Sequence, residues 1–233
     1  MSALETARIA ALLEPFLERP LQESQLNQIS IYIDLLLRWN ARINLTAIRD
    51  EEEIVTRHFG ESFFMARHLF PLQALEGAPS KLRLGGSGRV GSSVLDIGSG
   101  AGFPALPLKI WSPNLHLTLI ESNHKKSAFL REVARALTLT NINVITDRVE
   151  TVIAGPVMPQ ADVVTLRAVE HFETILPQAV EFLAPTGRLA LLIGAAQLPL
   201  LTTLTKLEWQ PPITVPKSHA RVLSIGIRAE SGK

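Results

Sequence analysis

The segment 94–104 constrains the fold more than any other part of the chain. It opens with the apolar run Val94–Ile97, which predicts a buried strand, and this strand carries Asp96 close to its end. Gly98 and Gly100 follow directly, and glycines let a backbone turn sharply and approach a ligand closely. In open α/β sheets, ligands bind at the carboxyl ends of the strands. The segment therefore predicts a small-molecule site at the end of a strand in such a sheet.

Strands and helices alternate from this segment towards the end of the chain. The predicted strands are Val94–Ile97, His116–Glu121, Asn143–Thr146, Asp162–Leu166 and Arg188–Ile193, followed by closing strands near Pro212–Val215 and Val222–Ile227. Helices are predicted from about Ala105, over Lys125–Leu137 and His171–Leu183, and over Gln197–Leu207. This alternation is typical of an α/β fold with a mostly parallel sheet and helices on both faces. The closing strands predict an antiparallel hairpin at one edge.

The chain before the sheet is predicted to be helical. Apolar residues recur at helical spacing in three stretches that end near Leu17, Asn40 and Leu69, and Asp50 is placed to cap the third, with Glu53 as its capping-box partner. We therefore divide the chain into a helical extension at 1–70, a glycine- and serine-rich linker or loop at 71–93, and an α/β domain at 94–233. Hydrophobic residues make up 46% of the chain and charged residues 19%, so the extension and the domain can form one compact globular unit.

Two classes of cofactor compete for the glycine turn. A dinucleotide-binding turn needs a third glycine where this chain has Phe103. S-adenosylmethionine carries a cationic sulfonium and no phosphate, and an acid such as Asp96 suits that charge. Glu121, at the end of the second strand, is expected to accept hydrogen bonds from the ribose hydroxyls of either cofactor. Asp147–Glu150 follows the third strand, where the adenine is usually bracketed. The sequence thus favours S-adenosylmethionine.

The end of the fourth strand, at Arg167, faces the expected position of the methyl group. Enzymes that methylate pyrimidine C5 need a cysteine nucleophile, and the sequence contains no cysteine. The acidic or amide residue, prolines and aromatic residue of enzymes that methylate exocyclic amines are also missing there. A substrate atom that is already nucleophilic, such as guanine N7, needs positioning and no general base. Arg167 is therefore the predicted catalytic residue, orienting the base through O6 or holding a phosphate, with a plain salt bridge as the alternative.

Basic and aromatic residues cluster in three parts of a chain whose net charge is only +1. The clusters are Arg38, Trp39, Arg42, Arg49, Arg57 and His58; Lys125, Lys126 and Arg131; and Lys217, His219 and Arg221. A near-neutral protein binds nucleic acid through a local patch, so these clusters predict an RNA-binding rim around the pocket. Each residue taken alone is better explained as part of a solvated surface.

The sequence also resembles a known family, from about Leu26 to its end. The motifs that carry the resemblance are Trp39-Asn40, Asn44-Leu45-Thr46-Ala47-Ile48, Arg57-His58, Ser62, the block Asp96 to Pro104, Lys125-Lys126, Phe129-Leu130, Val149-Glu150, Arg167-Ala168 and Arg221. They resemble the RsmG family, also called glucose-inhibited division protein B. Its members are S-adenosylmethionine-dependent enzymes that methylate a guanosine of small-subunit ribosomal RNA at N7.

The resemblance implies a Rossmann-like class I methyltransferase fold with a seven-stranded, mostly parallel sheet and an N-terminal helical extension. It implies S-adenosyl-L-methionine as the cofactor and small-subunit (16S) ribosomal RNA, or the ribosomal subunit, as the partner. The family's cofactor contacts fall on Gly98, Phe103, Val149, Glu150 and Arg167, and the candidate set adds Asp96, Gly100 and Glu121. The family's RNA contacts fall on Arg57, Lys126 and Arg221, beside which we place His58 and Lys125.

Three features depart from the family pattern. The linker at 71–93 is longer than expected, the usual acid after the Arg-His pair is Glu61, and Ile193 replaces a common lysine before Gly194. A non-catalytic RNA-binding assembly factor and, further away, a nicotinamide-dependent oxidoreductase are the alternative functions. We expect a cytoplasmic monomer without a metal site or a membrane span.

Overall fold

The computed structural model describes residues 4–71, 92–169 and 171–228. The linker predicted at 71–93 lies outside the described residues, apart from its ends at Pro71, Ser92 and Ser93. Within these ranges, no helix combines the length and the hydrophobicity that crossing a membrane requires.

Among the described residues, an eight-stranded sheet forms the centre of the protein. Its strands are β1 (Ser93–Ile97), β2 (His116–Ile120), β3 (Ile142–Ile145), β4 (Ala161–Arg167), β5 (Leu183–Gly194), β6 (Leu207–Trp209), β7 (Ile213–Thr214) and β8 (Arg221–Arg228). The order is β3-β2-β1-β4-β5-β8-β6, and β7 also pairs with β8. The first five strands in this order run parallel, whereas β8 is antiparallel to β5. The prediction of an α/β fold with a mostly parallel sheet is confirmed.

The outer edge of the sheet explains why eight strands form where the sequence predicts seven. β6 and β7 both pair antiparallel with β8 and together occupy the edge of the sheet. Pro211 and Pro212 stand between them, and proline has no N–H to donate to a neighbouring strand. The edge is therefore broken into two short strands.

The helices are α1 (Thr6–Leu13), α2 (Glu23–Asn40), α3 (Glu51–Glu53), α4 (Glu61–Leu69), α5 (Ala105–Trp111), α6 (His124–Ala136), α7 (Val149–Ala154), α8 (Phe172–Glu181) and α9 (Leu198–Leu201). A π-helical segment, Ile54–Gly60, joins α3 to α4, so the third predicted helix is continuous. Asp50 caps it by accepting from the Glu53 N–H at 2.8 Å, while the Glu53 carboxylate accepts from Arg57 rather than closing a capping box.

Two helix predictions need correction. The helix predicted over Gln197–Leu207 is only a 3₁₀ turn (Ala195–Gln197) followed by α9. The hydroxyls of Thr202 and Thr203 donate to carbonyls of the preceding turn, which ends the helix before Leu207 enters β6. Conversely, α7 forms where the sequence predicted no helix, because its Val149 and Val152 bury against the sheet.

The two faces of the sheet pack against different sets of helices. Along β4, Val163 belongs to one core cluster, whereas Val164 and Leu166 belong to the other, as expected for side chains that alternate along a strand. The first cluster includes apolar residues of α1, α2, α4, α5 and α6, and the second includes those of α7 and α8. The helical extension therefore shares a core with the sheet and sits beside its carboxyl edge.

Candidate functional site

A cavity of about 900 Å³ opens at the carboxyl ends of β1, β2, β3 and β4. One wall is built by the sheet and its loops, and the other by Leu45–Ile48, Arg57 and His58 of the helical extension. The candidate site residues that line it are Gly98, Gly100, Phe103, Glu121, Val149, Glu150, Arg167, Arg57, His58, Lys126 and Arg221. Two candidates do not line it: Asp96 lies behind the lining, and Lys125 faces a neighbouring groove.

The glycine turn after β1 needs glycine for two separate reasons. Gly98 has φ +69°, and a Cβ atom there would stand 2.9 Å from Cγ1 of Val169 in the loop after β4. Gly102 has φ +86°, and a Cβ atom there would collide with the Tyr32 hydroxyl and with Leu106. Positive φ is costly for residues with a side chain. The backbone is thus brought close to the extension on one side and to the β4 loop on the other.

An aromatic stack fastens the turn to the helical extension. Phe103 is stacked against Tyr32 of α2, with ring centroids 5.2 Å apart and planes 8° apart, and against His58, at 4.7 Å and 20°. Phe59 meets the Phe103 ring edge-on at 5.1 Å. The Tyr32 hydroxyl donates to the carbonyl of Ala101. The candidate cofactor residue Phe103 therefore also anchors the loop, since such aromatic pairs contribute beyond their buried area.

Glu121 joins the end of β2 to the glycine turn. Its Oε2 accepts from the N–H of Gly100 and its Oε1 from the N–H of Asn123, both at 2.8 Å. The side chain is 6% exposed and lines the cavity. Each carboxylate oxygen has a second lone pair, so both oxygens can still accept from a ligand. The anchoring of Gly100 was not foreseen from the sequence.

Asp96 is a buried acid directly behind the cavity. Its Oδ1 accepts from the Thr165 hydroxyl at 2.6 Å, whereas Oδ2 is buried and has no hydrogen-bond partner within the described structure. Burial raises the pKa of Asp96 to about 7, although the hydrogen bonds from Thr165 and Ser99 oppose the rise. An unpartnered buried carboxyl oxygen is costly, so a donor placed near it would be stabilised.

Arg167 is held at the end of β4 by three contacts with the helical extension. Its Nη2 donates to Oε2 of Glu61 at 3.0 Å and to the carbonyl of Arg57 at 2.7 Å, and its Nη1 lies 3.2 Å from Nδ1 of His58. The Arg167 side chain is only 7% exposed, and its burial lowers the pKa of the guanidinium from the ordinary value. The sequence left a plain salt bridge as the alternative role of Arg167. That salt bridge is present, and Arg167 also lines the cavity.

Glu61 is the carboxylate on which two candidate arginines converge. Besides Arg167, it holds Arg221 of β8, whose Nε lies 2.9 Å from Oε1 of Glu61. The Glu61 side chain is 4% exposed, and that of Arg221 is 24% exposed. The sequence indicated Glu61 only as a family position, because nothing local to it shows that its partners come from β4 and β8.

His58 is neutral and forms part of a relay of hydrogen bonds. Arg167 can only donate, so His58 Nδ1 accepts its hydrogen bond and the ring proton is on Nε2. Nε2 donates this proton to the Thr46 hydroxyl oxygen at 2.8 Å. Burial, followed by the charges of Arg167, Arg57 and Arg221, lowers the pKa of His58 to about 3. The structure therefore places His58 in the cavity wall as an uncharged contact between the extension and β4.

The remaining basic candidates surround the cavity mouth. Arg57 is exposed and pairs with Glu53 one turn earlier, at 3.1 Å. Lys126 lines the cavity and is partly buried, whereas its neighbour Lys125 is exposed on the other side of the α6 start. Arg57, Lys126 and Arg221 form a basic rim around the cavity, although Arg221 is already paired with Glu61.

Asn40 shapes the loop that closes the cavity on the extension side. Its Oδ1 accepts from the N–H groups of Leu45 and Thr46, at 2.9 and 3.1 Å, and its Nδ2 donates to the Thr46 carbonyl at 2.9 Å. The side chain is 7% exposed. These three bonds fix the loop that presents residues 45–48 to the cavity, which gives a physical reason for an asparagine at this position.

Comparison with known proteins adds a family to this geometry. The sequence matches the family described as GidB, rRNA small subunit methyltransferase G, over residues 25–75 and 80–209. These ranges contain both walls of the cavity except for Arg221. The chain belongs to this family.

Individual relatives agree with the family match. A protein named Ribosomal RNA small subunit methyltransferase G from Chloroflexus aggregans is 42% identical over 171 residues, covering 73% of this chain and 64% of the relative. One from Roseiflexus castenholzii is 43% identical, covering 72% and 67%. One from Chromobacterium violaceum is 34% identical, covering 84% of this chain and 85% of the relative. The chain thus spans about two thirds of the first two relatives and most of the third.

Solved structures support the same fold. The fibrillarin pre-rRNA processing protein of Methanococcus jannaschii superposes with a TM-score of 0.51 over 61% of this chain and 69% of its own, at 17% identity. At that identity the likeness concerns the fold alone.

One departure from the family pattern now has a structural place. Ile193, where the resemblance leads us to expect a lysine, is 4% exposed and pairs with Val222 of β8. It belongs to the core cluster on the α7 and α8 face of the sheet. In this chain the position is therefore a core position, and any contact that a lysine would make has no counterpart from Ile193.

Proposed function

We propose that this protein transfers a methyl group from S-adenosyl-L-methionine to N7 of a guanosine in small-subunit ribosomal RNA. The observation that carries the proposal is the cavity at the ends of β1–β4, whose walls are built by the family-matched glycine turn and helical extension. The names of the relatives agree with an rRNA substrate. The choice of N7 rests on the absence of a cysteine nucleophile and of the exocyclic-amine motif from the sequence, and on the resemblance to the RsmG family.

The residues behind and along the cavity fit S-adenosylmethionine. Asp96 Oδ2 is buried and unpartnered, as expected for an acid that a cationic ligand would complete. Glu121 retains two acceptor positions that match the paired hydroxyls of a ribose. Val149 and Glu150 open α7 on the adenine side, and Gly98 and Gly100 offer backbone that a ligand can approach closely.

The chemistry asks for little more than positioning. When bound, S-adenosylmethionine supplies an electrophilic methyl group on its sulfonium. Guanine N7 has a lone pair and no proton, so the protein needs no general base, and the neutral His58 is not required to act as one. We assign Arg167 the role of orienting the base through O6, and Glu61 the role of holding Arg167 in place.

The RNA is assigned to the rim of the cavity. Arg57, Lys126 and Arg221 lie around its mouth, and the small net charge of +1 means that binding depends on such a local patch. We propose that the substrate is the rRNA of the small subunit, free or within the subunit. A cytoplasmic monomer stays a prediction of the sequence.

The proposal is tested by methyl transfer from tritiated S-adenosylmethionine. The purified chain is incubated in separate reactions with free small-subunit rRNA, with intact small subunits and with large-subunit rRNA from a strain that lacks the corresponding gene. We expect tritium in small-subunit rRNA alone. No transfer to free rRNA or to intact small subunits, with the cofactor bound normally, would favour the non-catalytic assembly factor.

Replacing Glu121 tests the ribose contact. Glu121→Gln turns one of its two oxygens into a donor, so we expect cofactor affinity to fall by about 10- to 100-fold, as for the loss of a hydrogen bond to a charged group. Calorimetry with S-adenosylhomocysteine and its 2′-deoxy analogue separates this from a weakened Gly100 anchor. The analogue should bind more weakly than the parent ligand to the wild type and about equally to the variant. Equal losses in both proteins would show that Glu121 does not contact the ribose.

The raised pKa of Asp96 predicts a pH dependence. The native protein binds more protons than the unfolded chain between pH 3.8 and about 7, so the stability from protonated Asp96 is complete below that range and is lost as pH rises through it. A cationic ligand favours ionised Asp96, so binding near neutral pH should release a proton. Calorimetry of S-adenosylmethionine binding in two buffers of different ionisation enthalpy measures this release. Asp96→Asn should abolish it, and an equal release from the variant would assign the proton to another group.

A further inference from the structure

A second concave surface lies beside the cavity, between the end of α2 and the start of α6. We call it the Trp39 groove. It encloses about 630 Å³, and its lining includes Arg38, Trp39, Arg42, Ile43, Lys125 and Glu132. Three cations and one acid give it a positive charge in a protein whose net charge is +1. The groove is therefore a place where a bound anion is stabilised.

The floor of the groove is a tryptophan held from beneath. The Trp39 ring is partly buried and meets Phe129 edge-on, with centroids 5.7 Å apart and planes 61° apart. Phe129 is fully buried and contacts Tyr32 in turn. The indole is thus fixed by the core on one side while it lines the groove on the other. A rigid aromatic surface among cations is a typical platform for an unpaired base.

The groove is adjacent to the cavity. Lys125 lines the groove and Lys126 lines the cavity, and their Cα atoms are about 3.8 Å apart because the residues are consecutive. The Asn123 side chain accepts from the backbone N–H of both lysines, at 2.9 and 3.2 Å, which fixes the start of α6 between the two surfaces. The start of α6 therefore contributes one lysine to the groove and the next lysine to the cavity.

We propose that the Trp39 groove binds a single-stranded nucleotide next to the methylated guanosine, with its base on Trp39 and its phosphates on Arg42 and Lys125. The proposal rests on the proposed function, because it takes RNA to be the substrate. RNA is favoured over an acidic protein segment because acidic side chains have no use for the aromatic floor. Duplex RNA is disfavoured because its bases are stacked within the helix and cannot reach Trp39.

Binding of a fluorescein-labelled single-stranded RNA of about twelve nucleotides, followed by anisotropy at several salt concentrations, tests the cations. Arg42→Gln/Lys125→Gln should weaken binding by about tenfold or more and lower the salt slope by up to about two units. Arg135→Gln removes an exposed cation from the other end of α6 and should change neither quantity. A double variant that binds RNA with the affinity and the salt slope of the wild type would overturn the proposal.

The stacking is tested without disturbing the fold. Trp39→Phe retains an aromatic ring against Phe129, so it should keep most of the RNA affinity but lose the tryptophan quenching that RNA produces in the wild type. Trp39→Leu should weaken the binding of single-stranded RNA by several-fold to tenfold and change the binding of duplex RNA little. Unchanged quenching in Trp39→Phe, or equal affinity of the wild type for the matching duplex, would remove Trp39 from the RNA site. Polyglutamate that competes for the groove as well as RNA does would identify an acidic protein partner instead.

Failure of the groove and failure of the proposed function give different results. A wild type that transfers methyl groups while its groove variants bind RNA normally leaves the function standing and overturns the groove. A wild type that transfers no methyl groups, but whose RNA binding depends on Trp39 and Arg42, overturns the proposed function and leaves the groove standing.

Discussion

Gly98→Asp is expected to abolish S-adenosylmethionine binding. The residue has φ +69°, and its Cβ would stand 2.9 Å from Val169 Cγ1, so the new side chain is forced to displace the β4 loop or to turn into the cavity. Either outcome changes the space beside the glycine turn in which we propose that the cofactor lies, and a carboxylate there adds a buried charge. Aspartate tolerates positive φ better than most residues, so the fold should survive.

Calorimetry measures whether the variant binds the cofactor, and thermal unfolding measures whether it remains folded. Gly98→Asp should show no measurable cofactor binding and no cofactor-induced rise in Tm, while its far-UV circular dichroism matches the wild type. Gly155→Ala is the matched control, because Gly155 follows α7, has an ordinary φ and does not line the cavity. Wild-type affinity in Gly98→Asp would remove the glycine turn from the cofactor site.

Glu61→Ala is expected to destabilise the protein by about 3–5 kcal/mol and to abolish methyl transfer. The substitution leaves Arg167, whose side chain is 7% exposed, without its carboxylate, and also frees Arg221. Removing one partner of a buried ion pair costs roughly this much, because the other charge stays buried. Arg167 is further held by the Arg57 carbonyl and His58, so it cannot simply turn to solvent.

The chain offers an exposed counterpart on the same helical segment. Glu53 pairs with Arg57, and both side chains are nearly half exposed, so Glu53→Ala should cost no more than about 0.5 kcal/mol from this pair. Urea unfolding of both variants gives the comparison. Glu61→Asp keeps the charge and should recover part of the stability and of the single-turnover rate. Equal small losses for Glu61→Ala and Glu53→Ala would mean that the Glu61 contacts do not organise the site.

The parts of the fold that follow from local pattern were predicted well from the sequence. The strand at Val94–Ile97, the glycine turn and the Asp50 cap each depend on residues that are close together in the sequence. The parts that depend on distant partners were not. α7 is short and gains its stability from burying Val149 and Val152, and the split edge of the sheet depends on how β8 pairs.

The site shows the same division. Gly98, Glu121 and Arg167 were placed correctly at strand ends because parallel strands bring their carboxyl ends to one edge. Their mutual contacts were not predicted: Glu121 holds Gly100 across 21 residues, and Glu61 holds Arg167 across 106. The stacking of Phe103 between Tyr32 and His58 likewise requires the extension to fold over the sheet. Such contacts are set by packing, which no local pattern records.

The position of the methyl group in the RNA tests the proposed function most directly. Small-subunit rRNA from a strain lacking the gene, both free and within intact small subunits, is incubated with the purified chain and S-adenosylmethionine, and N7-methylguanosine is mapped by borohydride reduction and aniline cleavage. We expect one new cleavage at a guanosine of the small-subunit rRNA, and no such cleavage with Gly98→Asp. A methyl group on another atom or another base, or no modification of either the free rRNA or the intact small subunit while the cofactor is bound, would contradict the proposed function.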